Sequence, residues 1–195
     1  MTRFFLCLIS ILALSTSILA QTAAIDPAIL AKANAGDASA QVAAGDRCAA
    51  GNGPERTNRQ IVADYKLAAE WYRKAAAQGN IAGEMHLAAL LRDGKGVERD
   101  MPQAVALYRK AAEQGDVTAQ GTLGVLYSFG LGVTQDYIEA YFWLDIAASS
   151  DSPEKEHYAA NRQMVGTHIT AQELEAVQDR VDAWKAAHPR TKSSQ

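Results

Sequence analysis

Residues 71–80 read WYRKAAAQGN, and residues 107–116 read LYRKAAEQGD. Two near-identical decapeptides 36 positions apart in a chain of 195 residues point to an internal repeat, and a period of this size belongs to stacked supersecondary units. Shifting the chain by 36 aligns more than the decapeptides. Asp64, Asp100 and Asp136 coincide, as do Ala68, Ala104 and Ala140. The pairs Ala75-Ala76, Ala111-Ala112 and Ala147-Ala148 coincide, and Tyr72 and Tyr108 meet Leu144. Gly94-Lys95-Gly96 meets Gly130-Leu131-Gly132.

An earlier copy, AGDASAQVAAGDRCAAGNG, fits at a shift of 43, bringing Gly36 onto Gly79 and Gly51-Asn52-Gly53 onto Gly94-Lys95-Gly96. Its seven extra residues fall between Gly53 and Asp64. Three copies are therefore expected, about 36–78, 79–114 and 115–151, the first with an inserted loop.

Each copy resolves into two helices. In the third, Ala119, Leu123, Leu126 and Tyr127 recur at helical spacing. The G-x-G that follows stops the helix, since glycine accepts the left-handed conformation of a helix C-terminus. Asp136 then caps a second helix, with Glu139 placed for a capping box. Asp100 has the same role, with Pro102 tolerated in the first turn. Paired alanines let helices approach closely. The expected fold is all-α, an α-solenoid of stacked antiparallel helix pairs, because no single pair can bury its apolar stripe alone. The ends read as caps: a helix after Asp26-Pro27, another opened by Ser152 as N-cap with Pro153 at the first helical position, and a last one from the capping box Thr170–Glu173 to about His188. In that last helix Leu174, Val177, Val181 and Trp184 form one stripe. One repeat domain over 26–188, with capping helices over 153–188 and a loose tail over 189–195, is the expected organisation.

The N-terminus is of a different kind. One cation, Arg3, precedes the apolar run FFLCLISILALSTSILA, the layout of a secretory signal peptide. Residues 1–20 are assigned to it, with cleavage after Ala20 and Ala24 as the fallback. Cys7 has no small-residue cleavage pattern before it and is not read as a lipid anchor. The mature chain would keep 18 basic and 22 acidic residues, with no second apolar run of membrane-spanning length. Without a basic stripe interleaved with aromatics, nucleic acid is not an expected partner. Export to the periplasm or the exterior is expected. Cys48 would then be the only cysteine and is read as a small buried hydrophobe.

Candidate chemistry is thin. Ser152-Pro153-Glu154-Lys155 matches S-x-x-K, in which a lysine one turn along activates a serine, but no K-T-G or S-D-N accompanies it. Glu154 and His157 have the E-x-x-H spacing of di-metal bundles without the second pair such a site needs. The G-x-G turns lack a phosphate-loop lysine and read as helix ends. No catalytic, metal or cofactor residue is assigned.

The copies resemble the Sel-1-like repeat, a relative of the tetratricopeptide repeat. The third copy carries the pattern at Ala119, Leu123-Gly124, Tyr127, Gly130, Gly132-Val133, Asp136, Ala140, Trp143 and Ala147-Ala148. The second carries it at Leu87, Gly94, Gly96-Val97, Asp100, Ala104, Tyr108, Ala111-Ala112 and Gly115. The first departs at Cys48, in the usual Tyr position. The resemblance implies a non-enzymatic scaffold, expected to be monomeric, that binds another protein or peptide through a concave face lined by first helices. In the tetratricopeptide frame that face holds Val42, Asp46, Met85, Ala89, Arg92, Thr118, Gly121, Val125 and Ser128. The insertion, with Arg56 and Arg59, is a second candidate contact, as a recognition loop. A cell-wall-active or β-lactam-hydrolysing enzyme and a secreted factor binding a host protein are the alternative readings.

Overall fold

A computed structural model describes residues 25–51 and 57–189. The signal-peptide assignment, its cleavage sites, Cys7, Arg56 and the tail beyond Pro189 lie outside those residues.

The described residues form nine helices and no strand: α1 (Pro27–Asn34), α2 (Ala38–Ala50), α3 (Asn58–Ala76), α4 (Ile81–Asp93), α5 (Met101–Glu113), α6 (Val117–Phe129), α7 (Tyr137–Ala148), α8 (Lys155–Gly166) and α9 (Ala171–Ala187). They group into two compact units that divide between Arg99 and Asp100. In the first, α1 packs on α2, α2 on α3 and α3 on α4, with α2 also meeting α4. In the second, α5 packs on α6, α6 on α7 and α7 on α8, while α9 lies against α7.

The repeated decapeptide accounts for how one helix hands the chain to the next. Three of its alanines, Ala75, Ala111 and Ala112, have no exposed surface, so helices meet at close range. Beyond the end of α3, Gly79 turns to φ 73° and the Asn80 N–H donates back to the Ala75 carbonyl at 3.2 Å. Beyond α5, Gly115 and Asp116 repeat the closure on Ala111 at 3.0 Å. The next residue's side chain starts the following helix: Asn80 Oδ1 accepts from Gly83 N–H at 3.0 Å and Asp116 Oδ1 from Ala119 N–H at 2.7 Å. The dipeptides Gly-Asn and Gly-Asp thus end one helix and cap another.

In the second and third copies the second glycine of the G-x-G has a different reason. A Cβ on Gly96 would stand 2.4 Å from the Lys66 backbone nitrogen, and one on Gly132 would stand 2.8 Å from the Met101 carbonyl group. The turns after α4 and α6 therefore rest directly on the backbones of α3 and α5.

Three local expectations are corrected. The insertion is not a loop throughout. Thr57 caps α3 in a full capping box with Gln60, and α3 begins seven residues earlier than α5 would place it in the repeat frame. The insertion lengthens a helix by about two turns, and Arg59 is helical. Asp136 does cap α7, accepting from Ile138 and Glu139 N–H at 2.9 and 3.0 Å, but the Glu139 carboxylate turns away from the expected capping box to accept from Arg180 of α9. Ser152 and Pro153 precede the helix rather than open it. Helix α8 starts at Lys155 with no side-chain cap, while Ser152 Oγ accepts from Glu154 N–H at 3.2 Å and donates to the Glu154 carboxylate.

Candidate functional site

In the first unit Tyr72 of α3 inserts its ring between α2 and α4. A Cβ on Gly45 would lie 2.4 Å from the Tyr72 ring, so this glycine admits the aromatic plug. The ring stacks on His86 of α4 with centroids 4.9 Å apart, and its hydroxyl donates to Asp46 Oδ1 at 2.8 Å. His86 Nε2 lies 3.6 Å from the same oxygen. Burial and the Asp46 carboxylate push the Tyr72 hydroxyl above its ordinary range, which keeps it a proton donor. The ring is buried, whereas the Asp46 and His86 side chains are 50% and 47% exposed. The cluster presents a carboxylate and an imidazole on an aromatic floor.

Around it lie the residues expected from the repeat frame. Val42, Met85 and Ala89 are half-buried on α2 and α4, and Asp46 and Arg92 are exposed. Arg92 Nε donates to Asp93 Oδ1 at 2.8 Å, and Lys95 Nζ reaches Asp93 Oδ2 at 3.0 Å. Those two cations hold the Asp93 carboxyl below its ordinary range, Arg92 contributing most. Arg59 stands apart from this group, exposed in the first turn of α3.

The second unit treats its share of the expected face differently. Thr118 is exposed and Val125 half-buried on α6. Ser128 is only 8% exposed, its Oγ donating to the Val125 carbonyl at 2.9 Å, so it is not presented to a partner. Gly121 is occupied by Tyr158 of α8, whose ring lies 2.1 Å from where a Cβ would sit. His86 and Tyr72 were not among the expected contacts, and only their meeting with Asp46 across three helices gives them that place.

The remaining candidates sort by geometry. Cys48 is buried, and desolvation, with the nearby Asp64 charge, raises its thiol to about 11. Ser152 Oγ is bonded to Glu154, not to Lys155. Among the described residues no three His, Cys, Asp or Glu side chains converge as a metal site, and no helix is long and apolar enough to cross a membrane.

The comparisons follow this architecture. The Sel1 repeat family model matches residues 38–80, 81–116 and 118–152. No curated protein matches the sequence. Among solved structures, c5321, described as a protective antigen present in uropathogenic Escherichia coli strains and displaying an SLR fold, is 27% identical with a TM-score of 0.59. That match covers 84% of this chain but 43% of the E. coli protein, so this chain spans less than half of its length. A Sel1 repeat protein from Oxalobacter formigenes is 34% identical with a TM-score of 0.56, over 66% of this chain and 93% of that one. With helix pairs in register and the family model matched in all three copies, this chain belongs to the Sel1 repeat family, an all-α solenoid fold that commonly serves as a protein-interaction scaffold.

Proposed function

We propose that the mature protein is a non-enzymatic adaptor, exported to the bacterial periplasm or exterior, that binds a partner protein through its first helices. The principal contact is the α2–α4 face of the first unit. The observation that carries this reading is the cluster of Asp46, His86 and Tyr72 beside half-exposed Val42, Met85 and Ala89. It places a carboxylate and an imidazole, each about half exposed, next to apolar surface, the mixture that suits an extended peptide or a partner helix. Sel1 repeats typically mediate protein–protein interaction, which supports the same class. Thr118 and Val125 provide the corresponding contact surface of the second unit.

Crosslinking in intact cells followed by mass spectrometry tests this directly. The expected outcome is a discrete crosslinked partner whose capture falls at least about tenfold when Met85→Glu and Arg92→Ala are combined. Capture unchanged in that variant, with the helical spectrum intact, would remove the α2–α4 face as the binding surface. Fractionation and N-terminal sequencing of the exported form test the location. A mature start after Ala20, or after Ala24, is expected, and a cytoplasmic chain retaining Met1 would overturn export.

A further inference from the structure

We propose that the outer face of α3 is a second docking surface, built for an acidic amphipathic helix of a partner protein. It is independent of the α2–α4 face. Arg59, Lys66 and Arg73 follow one another at intervals of seven residues, which is nearly two helical turns, so the three lie in one row spaced about 10.5 Å apart. All three are exposed, as is Lys74 beside the row. None of the four has a carboxylate within ion-pair distance among the described residues; the Lys74 ammonium lies instead over the Trp71 ring, 4.1 Å from its centroid. Glu70 is the single acidic side chain on this exposed face. In a chain of net charge −3, a row of exposed cations accompanied by one carboxylate is a local reversal of sign.

The insertion makes the row. Seven residues add almost two complete turns, so Arg59 enters in phase with Lys66 and Arg73. A length of five or nine would have rotated it off the line. The equivalent of Lys66 in the next copy is Pro102, and that of Arg73 in the third is Asp145, so no other second helix carries the row. Val62, 58% exposed, lies between Arg59 and Lys66 and gives one apolar contact.

Charge complementarity and spacing select the occupant. A helix lying along α3 with carboxylates every seventh residue meets each cation in turn and packs a small side chain over Val62. A lipid surface fits less well, because interfacial helices turn a stripe of large apolar residues to the membrane, whereas on α3 Val62 alone is exposed and Trp71 and Tyr72 are buried. Nucleic acid fits less well too, because α3 exposes no aromatic side chain on which bases could stack.

The test uses the mature chain and a fluorescent synthetic helix of about 20 residues carrying Glu at successive seventh positions, with a control of equal composition and irregular spacing. Fluorescence anisotropy should show the spaced helix binding about tenfold more tightly than the control, with affinity falling as salt rises. Arg59→Glu combined with Lys66→Glu should weaken it about tenfold or more, and Glu70→Lys should strengthen it about threefold. These positions are exposed, and an unchanged circular dichroism spectrum confirms folding. The proposal is overturned if the reversed variant binds equally, if both helices bind alike, or if anionic vesicles compete as well as the spaced helix. Salt-sensitive self-association of the chain in sedimentation, lost in the same variant, would assign the face to a second copy and also overturn it.

Discussion

Tyr72 shows how much one residue carries in this molecule. Its ring fills the space that Gly45 leaves open, its hydroxyl holds Asp46, and its face supports His86. In the third copy Leu144 takes the same position against Gly124, where a Cβ would stand 2.6 Å from Leu144 Cγ, so the packing survives a change from aromatic to aliphatic. Cys48 gives a residue-scale prediction with a definite sign. Its thiol rises from 9.0 to about 11 on burial, so the folded state holds the proton over a range in which the unfolded chain releases it. The stability this contributes is complete below about pH 9 and is lost as pH rises through about 11. A Cys48→Ala variant should therefore show a flatter loss of urea stability between those two values than the parent. Identical pH profiles for the two proteins would refute the assignment. Alkylation of the native thiol at neutral pH should be slow for the same reason.

At the scale of helices, the decisive departure among the copies is at a position where the first two carry Arg73 and Arg109 and the third carries Asp145. Arg73 is exposed, whereas the Asp145 side chain is 5% exposed and accepts from Arg162 of α8 and from Lys185 of α9, the latter at 2.9 Å. One sign reversal thus converts a solvent-facing position into the anchor of both capping helices. Replacing Asp145 by Asn leaves two cations facing a neutral side chain. Because each cation is 35% exposed, the loss is smaller than for a fully buried pair, on the order of 2 kcal/mol. Urea unfolding measures it, and a midpoint within error of the parent would show that the pair contributes nothing. The helix pairs, their caps and the glycine stops were legible in the sequence because they depend on residues within one turn of each other. The anchor was not, since Asp145, Arg162 and Lys185 lie far apart along the chain and share no motif. The same limit hid the fate of Glu139: a capping box and an ion pair with Arg180 compete for one carboxylate, and only the position of α9 decides between them.

For the whole molecule, the ends matter as much as the copies. Tyr158, Val165, Val177 and Val181 are buried, and Trp184 meets Trp143 edge-on at 6.5 Å, so α8 and α9 close the apolar side of α7. Ending the chain after Ser150 removes that cover together with both partners of Asp145. Repeat arrays without a terminal cap expose their inner surface. The truncated protein should lose more than about 10 °C in Tm and form soluble aggregates, read by differential scanning calorimetry and light scattering. A monomeric truncation with the parental Tm would show the cap to be dispensable. The sequence alone determined the all-α class, the three copies, the dipeptides that end and start helices, and the burial of Cys48, because each follows from local geometry or from a period repeated in register. Only the tertiary structure decided that seven inserted residues become helix, that Ser128 is buried while Asp46 and His86 stay open over Tyr72, and that Asp145 gathers the last two helices. Those outcomes depend on side chains from different helices competing for the same space or the same charge. WYRKAAAQGN says how a pair of helices is built; which of its copies anchors a cap and which carries an exposed cationic row is decided by what packs against each.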